Sequence, residues 1–159
     1  MQPRITHLTE KYVIGKSFST SYIDNKTFTL WQSFMPAKKQ IPNCLGSELF
    51  SIEVYPPAYF DVFDPVKEFK KWAAVEVMDL INIPPQMEAM TLPVGLYAVF
   101  IHFGLAINGP ETYRAIFEGW LPKSGYGIDQ RPHFAIMGNK YLPNSTDSEE
   151  EIWIPIKLK

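Results

Sequence analysis

The chain has 159 residues, 46% hydrophobic and 20% charged, with a net charge of −2 at pH 7. One domain's length at that apolar content excludes global disorder, and the near-balanced charge argues against a nucleic-acid module or a polybasic membrane binder. The single cysteine, Cys44, excludes an internal disulfide and a multi-cysteine zinc site, and the sequence has neither a secretory apolar core nor a membrane-spanning run, so a cytoplasmic protein without a membrane partner is expected.

Ile5–Phe18 reads as a strand with Gly15 inside it. Asn25–Met35 reads as a short helix with Phe28, Trp31 and Met35 on one face, ended or kinked by Pro36. Leu49–Tyr55 is a strand closed by Pro56 and Pro57, and Pro56–Lys71 is a long connection carrying Asp61, Asp64 and a basic cluster. Trp72–Met78 reads as a strand, with helix as the alternative. Pro93–Phe103 is a strand apolar on both faces. Asn108-Gly109-Pro110 opens a helix, proline sitting in the first turn where its missing N–H costs nothing. Tyr113, Ile116, Phe117, Trp120 and Leu121 give that helix its apolar face, and Pro122 and Gly125 stop it. Arg131–Gly138 and Glu150–Leu158 are the last strands, separated by an acidic turn.

The order β-α-β-β therefore occurs twice, in pseudo-repeats of about 1–83 and 84–159 within a single domain, 1–159. Leu8 and Leu92, Phe50 and Phe134, and Ile52 and Ile136 match at an offset of 84. The expected fold class is α+β, a duplicated β-α-β-β unit giving two antiparallel sheets with helices on one side. Pro84-Pro85 marks the crossover between the halves.

Alternation sorts each strand into two sets. Phe50, Ile52 and Val54 oppose Ser51, Glu53 and Tyr55. Ile152, Ile154 and Ile156 oppose Glu151, Trp153 and Pro155, and Val75 and Val77 oppose Ala74 and Glu76. The aliphatic sets are expected to pack under the helices and the mixed sets to share the opposite face. That face reads either as a solvated surface or as a pocket for an apolar cation, in which rings and a carboxylate attract the charge.

Three blocks carry a resemblance: Trp120-Leu121-Pro122-Lys123-Ser124-Gly125-Tyr126, Asp129-Gln130-Arg131-Pro132-His133-Phe134, and Glu150-Glu151-Ile152-Trp153-Ile154-Pro155-Ile156. With Phe50–Pro56, Trp72–Val77 and Gly95–Phe100, they make the chain resemble the bacterial GyrI-like effector-binding domains, which also serve as the drug-sensing domains of transcription activators. The resemblance implies a ligand cleft between the halves that binds lipophilic, often cationic, small molecules. Glu151 and Trp153 stand where the family carries a pocket glutamate and an aromatic residue. The full candidate ligand-binding set is Glu151, Trp153, Tyr55, Glu53, Trp72, Glu76, Tyr97 and His133. Glu151 has a plainer reading as an exposed strand carboxylate, and Tyr55 and Tyr97 as packing residues. Family members commonly read Arg-Pro-x-Phe-Glu. Ala135 stands here at the position of that second acid, which favours a monocation or a neutral aromatic ligand.

The resemblance implies a free-standing binding module, a sensor or sequestering protein for hydrophobic, cationic or aromatic compounds. The alternatives are a small hydrolase of reactive electrophilic toxins using a pocket glutamate and a tyrosine, or a gyrase-interacting protein. No cofactor, metal or direct nucleic-acid partner is expected: His7, His102 and His133 have no ligand spacing, and no phosphate-binding glycine motif is present.

Overall fold

Strand-forming segments dominate the chain, and the computed structural model describes all 159 residues. The elements in order are β1 (Arg4–Leu8), β2 (Lys11–Thr20), α1 (Thr27–Ala37), β3 (Leu49–Val54), β4 (Phe69–Val77), β5 (Glu88–Leu92), β6 (Gly95–Phe103), α2 (Gly109–Arg114), β7 (Tyr126–Ile128), β8 (His133–Met137) and β9 (Glu149–Leu158). Helix α2 continues as a π turn over Ala115–Trp120 and a 3₁₀ turn over Leu121–Lys123. The short strands β5 and β7 have no counterpart in the sequence expectations.

The strands lie in the order β1-β6-β9-β8-β3-β4-β2-β5, with β7 added to β9. The two antiparallel units are joined edge to edge where β3 pairs with β8. Across that seam Phe50 faces Ile136 and Ile52 faces Phe134, symmetrically about the Ser51–Ala135 pair. At the outer edges β1 pairs with β6 and β5 with β2, so that Leu8 faces Gly95 and Leu92 faces Lys11. A two-fold axis relating residues 84 apart generates both registers. The run Ile5–Phe18 is thus two strands, broken at Thr9-Glu10, and each serves a different half. This exchange at the edges curls the sheet into a half-barrel.

Three apolar clusters follow from the alternation of side chains. The inner face of the half-barrel is aromatic: Phe50, Trp72, Tyr97, Phe134 and Trp153 pack with Leu8 and Leu92. Phe134 stacks on Trp153 at 5.2 Å and on Phe50 at 5.8 Å. On the outer face α1 lays Leu30 and Phe34 over Ile14, Ala73, Val75 and Val77. The segment around α2 lays Ile116 over Ala98, Phe100 and the isoleucines of β9. Each fully buried side chain of this size is worth roughly 1.5–3 kcal/mol.

Two expectations are corrected here. The buried face of α1 is Leu30 and Phe34, while Phe28 and Met35 point to solvent. On β3, Phe50 and Ile52 join the inner aromatic core rather than the layer under the helices. Ser51, Glu53 and Tyr55 consequently lie on the helix side, at the seam that neither helix covers.

Arg131 fastens the half-barrel's second half. Its Nη2 donates to the carbonyls of Leu96 (2.7 Å) and Ile156 (3.0 Å), and its Nε donates to Asp129 (2.8 Å). Its guanidinium lies 4.7 Å from the Tyr97 ring centre. A planar, forked cation meets these demands together, whereas a lysine ammonium does not. Arg131→Lys is therefore expected to lower stability by about 1–3 kcal/mol in urea denaturation without changing the secondary structure. Gly15 sits where β2 runs directly against β4, and a Cβ there would collide with the Ala73 carbonyl oxygen. Because that neighbour is backbone, Gly15→Ala is expected to cost roughly 1–3 kcal/mol, read as a lower midpoint in the same experiment.

Candidate functional site

The seam leaves a cleft on the helix side, between the residues of α1's half and those of α2's half. Its floor is set by register. Glu53 of β3 stands directly opposite Lys71 of β4 on one side and His133 of β8 on the other. One step along, Ser51 stands opposite Ala73 and Ala135. All three of these side chains are small and buried, and Ala73 packs under α1.

The walls are aromatic. Tyr55 packs against Tyr59 (4.6 Å), Phe60 (4.7 Å), Phe69 (4.9 Å) and His133 (4.9 Å, edge-on). Phe60, from the loop after β3, reaches across to Phe117 and His133, at 5.4 Å from each. Tyr113 stacks on Phe117, and Tyr22 extends the wall towards Phe63 and Phe69. The rings therefore run without a break from the first half to the second. A cavity of about 350 Å³ opens beside this wall, lined by Tyr55, Tyr59, Phe60, Leu121, Arg131 and His133 among others. Glu53 is not part of its lining: Tyr55, Phe60 and His133 border the cavity from the cleft side.

Glu53 is the electrostatic centre of the cleft. It is 6% exposed, and its Oε2 has no hydrogen-bond partner. Lys71 Nζ is 3.9 Å away, an ion pair without a hydrogen bond. Burial holds the Glu53 carboxyl above its usual range, Lys71 pulls it back, and Glu150 adds to the rise. Burial, and then the charge of Glu53, push the phenols of Tyr55 and Tyr113 well up. Glu150 is likewise raised by burial, against the pull of His102 and Lys71. An under-paired carboxylate ringed by aromatic faces attracts a cation or a hydrogen-bond donor carried on an apolar body.

The structure separates the candidate residues. Glu53, Tyr55 and His133 meet in the cleft. Trp153, Trp72 and Tyr97 lie in the aromatic core beneath the sheet. Trp153 and Tyr55 therefore face opposite sides, and the expected grouping of Glu151, Trp153 and Tyr55 in one pocket is corrected. The cause is the position of β3 in the centre of the sheet, where its mixed set faces the helix side. Glu151 does lie beside a ring, accepting a bond from Trp153 Nε1 (3.0 Å) and pairing with Arg4 (3.6 Å), but on the inner-face side. It borders a separate groove of about 260 Å³ with Glu48, Glu149 and Glu150. Glu76 is paired with Lys11 at 3.3 Å, outside the cleft.

Lys71, Phe60, Phe117 and Tyr113 were not singled out as site residues by sequence reasoning. Lys71 read as one of a basic cluster and Phe117 as one of an apolar stripe. The available signal was the density of rings after Tyr55, in Tyr59, Phe60, Phe63 and Phe69. No group of three or more His, Cys, Asp and Glu residues is arranged to hold a metal ion, and no helix is long and apolar enough to cross a membrane.

His133 is 4% exposed, and burial, with Arg131 adding to it, pushes its imidazole down to about 3. The unfolded chain takes up this proton near pH 6.5 while the folded chain does not, so His133 destabilises the fold progressively as pH falls from about 6.5 towards 3. Glu53 acts in the opposite direction, since its raised carboxyl binds a proton more readily when folded. His133→Phe is expected to flatten the acid limb, so that urea midpoints fall less between pH 7 and pH 4 than in the wild type.

Comparison with known proteins identifies the family and the fold. The GyrI-like small molecule binding domain family model matches residues 1–157. The transcriptional regulator BrlR of Pseudomonas aeruginosa is 25% identical over 158 residues, which are 98% of this chain and 56% of BrlR. The chain thus spans little more than half the length of that relative. The crystal structure of the EcmrR C-terminal domain aligns with a TM-score of 0.73 at 15% identity, covering 99% of this chain and 98% of that one. The structure of SAV2435 bound to tetraphenylphosphonium aligns with a TM-score of 0.67 at 16% identity, covering 99% and 94%. These structural likenesses establish the fold, and the match along 1–157 establishes the family: the chain belongs to the GyrI-like small-molecule binding domains.

Proposed function

We propose that the cleft over Glu53 binds lipophilic aromatic small molecules, neutral or cationic, and that the chain acts as a sensing or sequestering module for them. The observation that carries this reading is a buried carboxylate with an unpartnered oxygen at the floor of a cleft walled by rings from both halves. Aromatic walls supply affinity without directional demands, so they tolerate ligands of different shape. The carboxylate supplies the one polar preference. A structural neighbour with tetraphenylphosphonium bound, and a relative that is a transcriptional regulator, support the reading.

Because rings of both halves build the wall, a ligand seated there bridges the pseudo-two-fold axis. Its binding then adds to the cohesion of the two halves and raises the unfolding temperature by mass action. This is the physical form a sensor needs, since occupancy of one cleft is felt on both sides of the seam.

Calorimetric titration with tetraphenylphosphonium tests the assignment. Glu53→Gln is expected to weaken binding roughly ten- to a hundredfold, the cost of losing a partly desolvated charge opposite a cation. Glu151→Gln, on the opposite side of the sheet, is expected to leave the affinity within about twofold. The reverse ranking would move the ligand to the groove beside Glu151 and overturn the reading.

A further inference from the structure

Lys71 has a consequence for what this cleft selects. Its ammonium is 3.9 Å from Glu53 Oε2, and its side chain is 19% exposed against 8% for Glu53. The two face each other across adjacent strands, so the backbone register fixes their proximity. Neither is satisfied by the other, because the separation exceeds a hydrogen bond. Glu53 Oε2, buried and without a hydrogen-bond partner, and the partly exposed Lys71 ammonium therefore stand side by side beneath aromatic rings that a ligand must part to reach them.

A lipophilic cation entering this cleft meets a resident cation already beside the carboxylate it seeks. It must displace the Lys71 ammonium towards solvent or towards Glu150, or tolerate a like charge within a few ångströms. A neutral planar ring system with an N–H beside a C=O has no such conflict. Its N–H donates to Glu53 Oε2, its C=O accepts from Lys71 Nζ, and the rings stack on Tyr55, Phe60 or Phe117. The ion pair stays in place and gains the hydrogen bonds it lacks.

We propose that Lys71 is a specificity-determining residue that sets the cleft against lipophilic cations and in favour of neutral aromatic lactams and amides, through its pairing with Glu53 across β3 and β4. The proposal rests on the cleft being the binding site, and it refines the ligand class.

The test uses a matched pair of similar ring shape: 6(5H)-phenanthridinone, a neutral lactam, and N-methylphenanthridinium, a cation. Affinities are measured by fluorescence titration of the full chain. The wild type is expected to prefer the lactam. Lys71→Met is expected to tighten the cation by roughly tenfold or more and to weaken the lactam by about three- to tenfold, reversing the preference. Lys71→Arg, which keeps the charge, is expected to retain the wild-type preference. It also serves as the readout should Lys71→Met fail to fold, because a preference for the cation in Lys71→Arg or in the wild type overturns the proposal. Unchanged or weaker cation binding in a folded Lys71→Met also overturns it. Should Glu53→Gln alter neither ligand, the cleft itself is the wrong site, and the proposed function falls with this one. Absence of binding by both probes to the wild type has the same meaning.

Discussion

The pairing of β3 with β8 is the constraint on which the rest of the structure depends. It joins two units that each bury one sheet face under a helix, and it does so at a strand edge of each. The helices then lie over the flanks, one on each side of the seam, and neither lies over the seam itself. A sheet so joined must bury its inner face on itself, which it does with five large aromatic residues, and must expose or specialise its outer face at the seam. The cleft is the geometric remainder of that arrangement.

Residues at the seam carry the consequences. The small, buried Ser51–Ala135 pair lies on the two-fold axis. Glu53 and His133 are neighbours across the seam, one buried acid and one buried base, and they break the symmetry that the backbone keeps. Burial holds the imidazole neutral and favours the protonated carboxyl, so low dielectric acts on both groups against their charged forms. Lys71, also at this floor, completes a row in which a cation, an anion and a neutral ring stand side by side. Such a row costs folding free energy unless its polar groups find partners, and a ligand is one way for them to do so.

Stability and recognition are assigned to opposite sides of the sheet. The inner face, with Phe134 stacked between Trp153 and Phe50 and with Arg131 over Tyr97, is closed and jigsaw-packed. The outer face at the seam has rings of comparable size, but several belong to the loop after β3 and to the π turn, segments with fewer ladder hydrogen bonds than the strands. Rings held on such segments re-pack more readily than rings held on a sheet, which suits a cleft that accepts ligands of varied shape.

Local pattern was enough for much of the fold. The period-2 alternation of β3, β4, β6, β8 and β9, the proline and glycine punctuation, and the 84-residue offset made the duplicated α+β unit legible, because each depends on residues a few positions apart or on a repeat of the same pattern. The sorting of each strand into two sets was also legible, since alternation is a property of the strand itself. Which set faces which layer was not: alternation has no sign, and only the packing of other elements supplies one. For β9 the aliphatic set went under α2 as expected. For β3 the same rule inverted, because a central strand without a helix above it buries its largest apolar side chains on the inner face. The sequence thus determined that Glu53, Tyr55 and His133 were available to a site and that Glu151 stood beside Trp153. Only the tertiary structure decided that the first three meet, that Lys71 stands against Glu53, and that Trp153 lies beneath the sheet, because cross-strand register and the curl of the half-barrel join residues that are tens of positions apart in the chain.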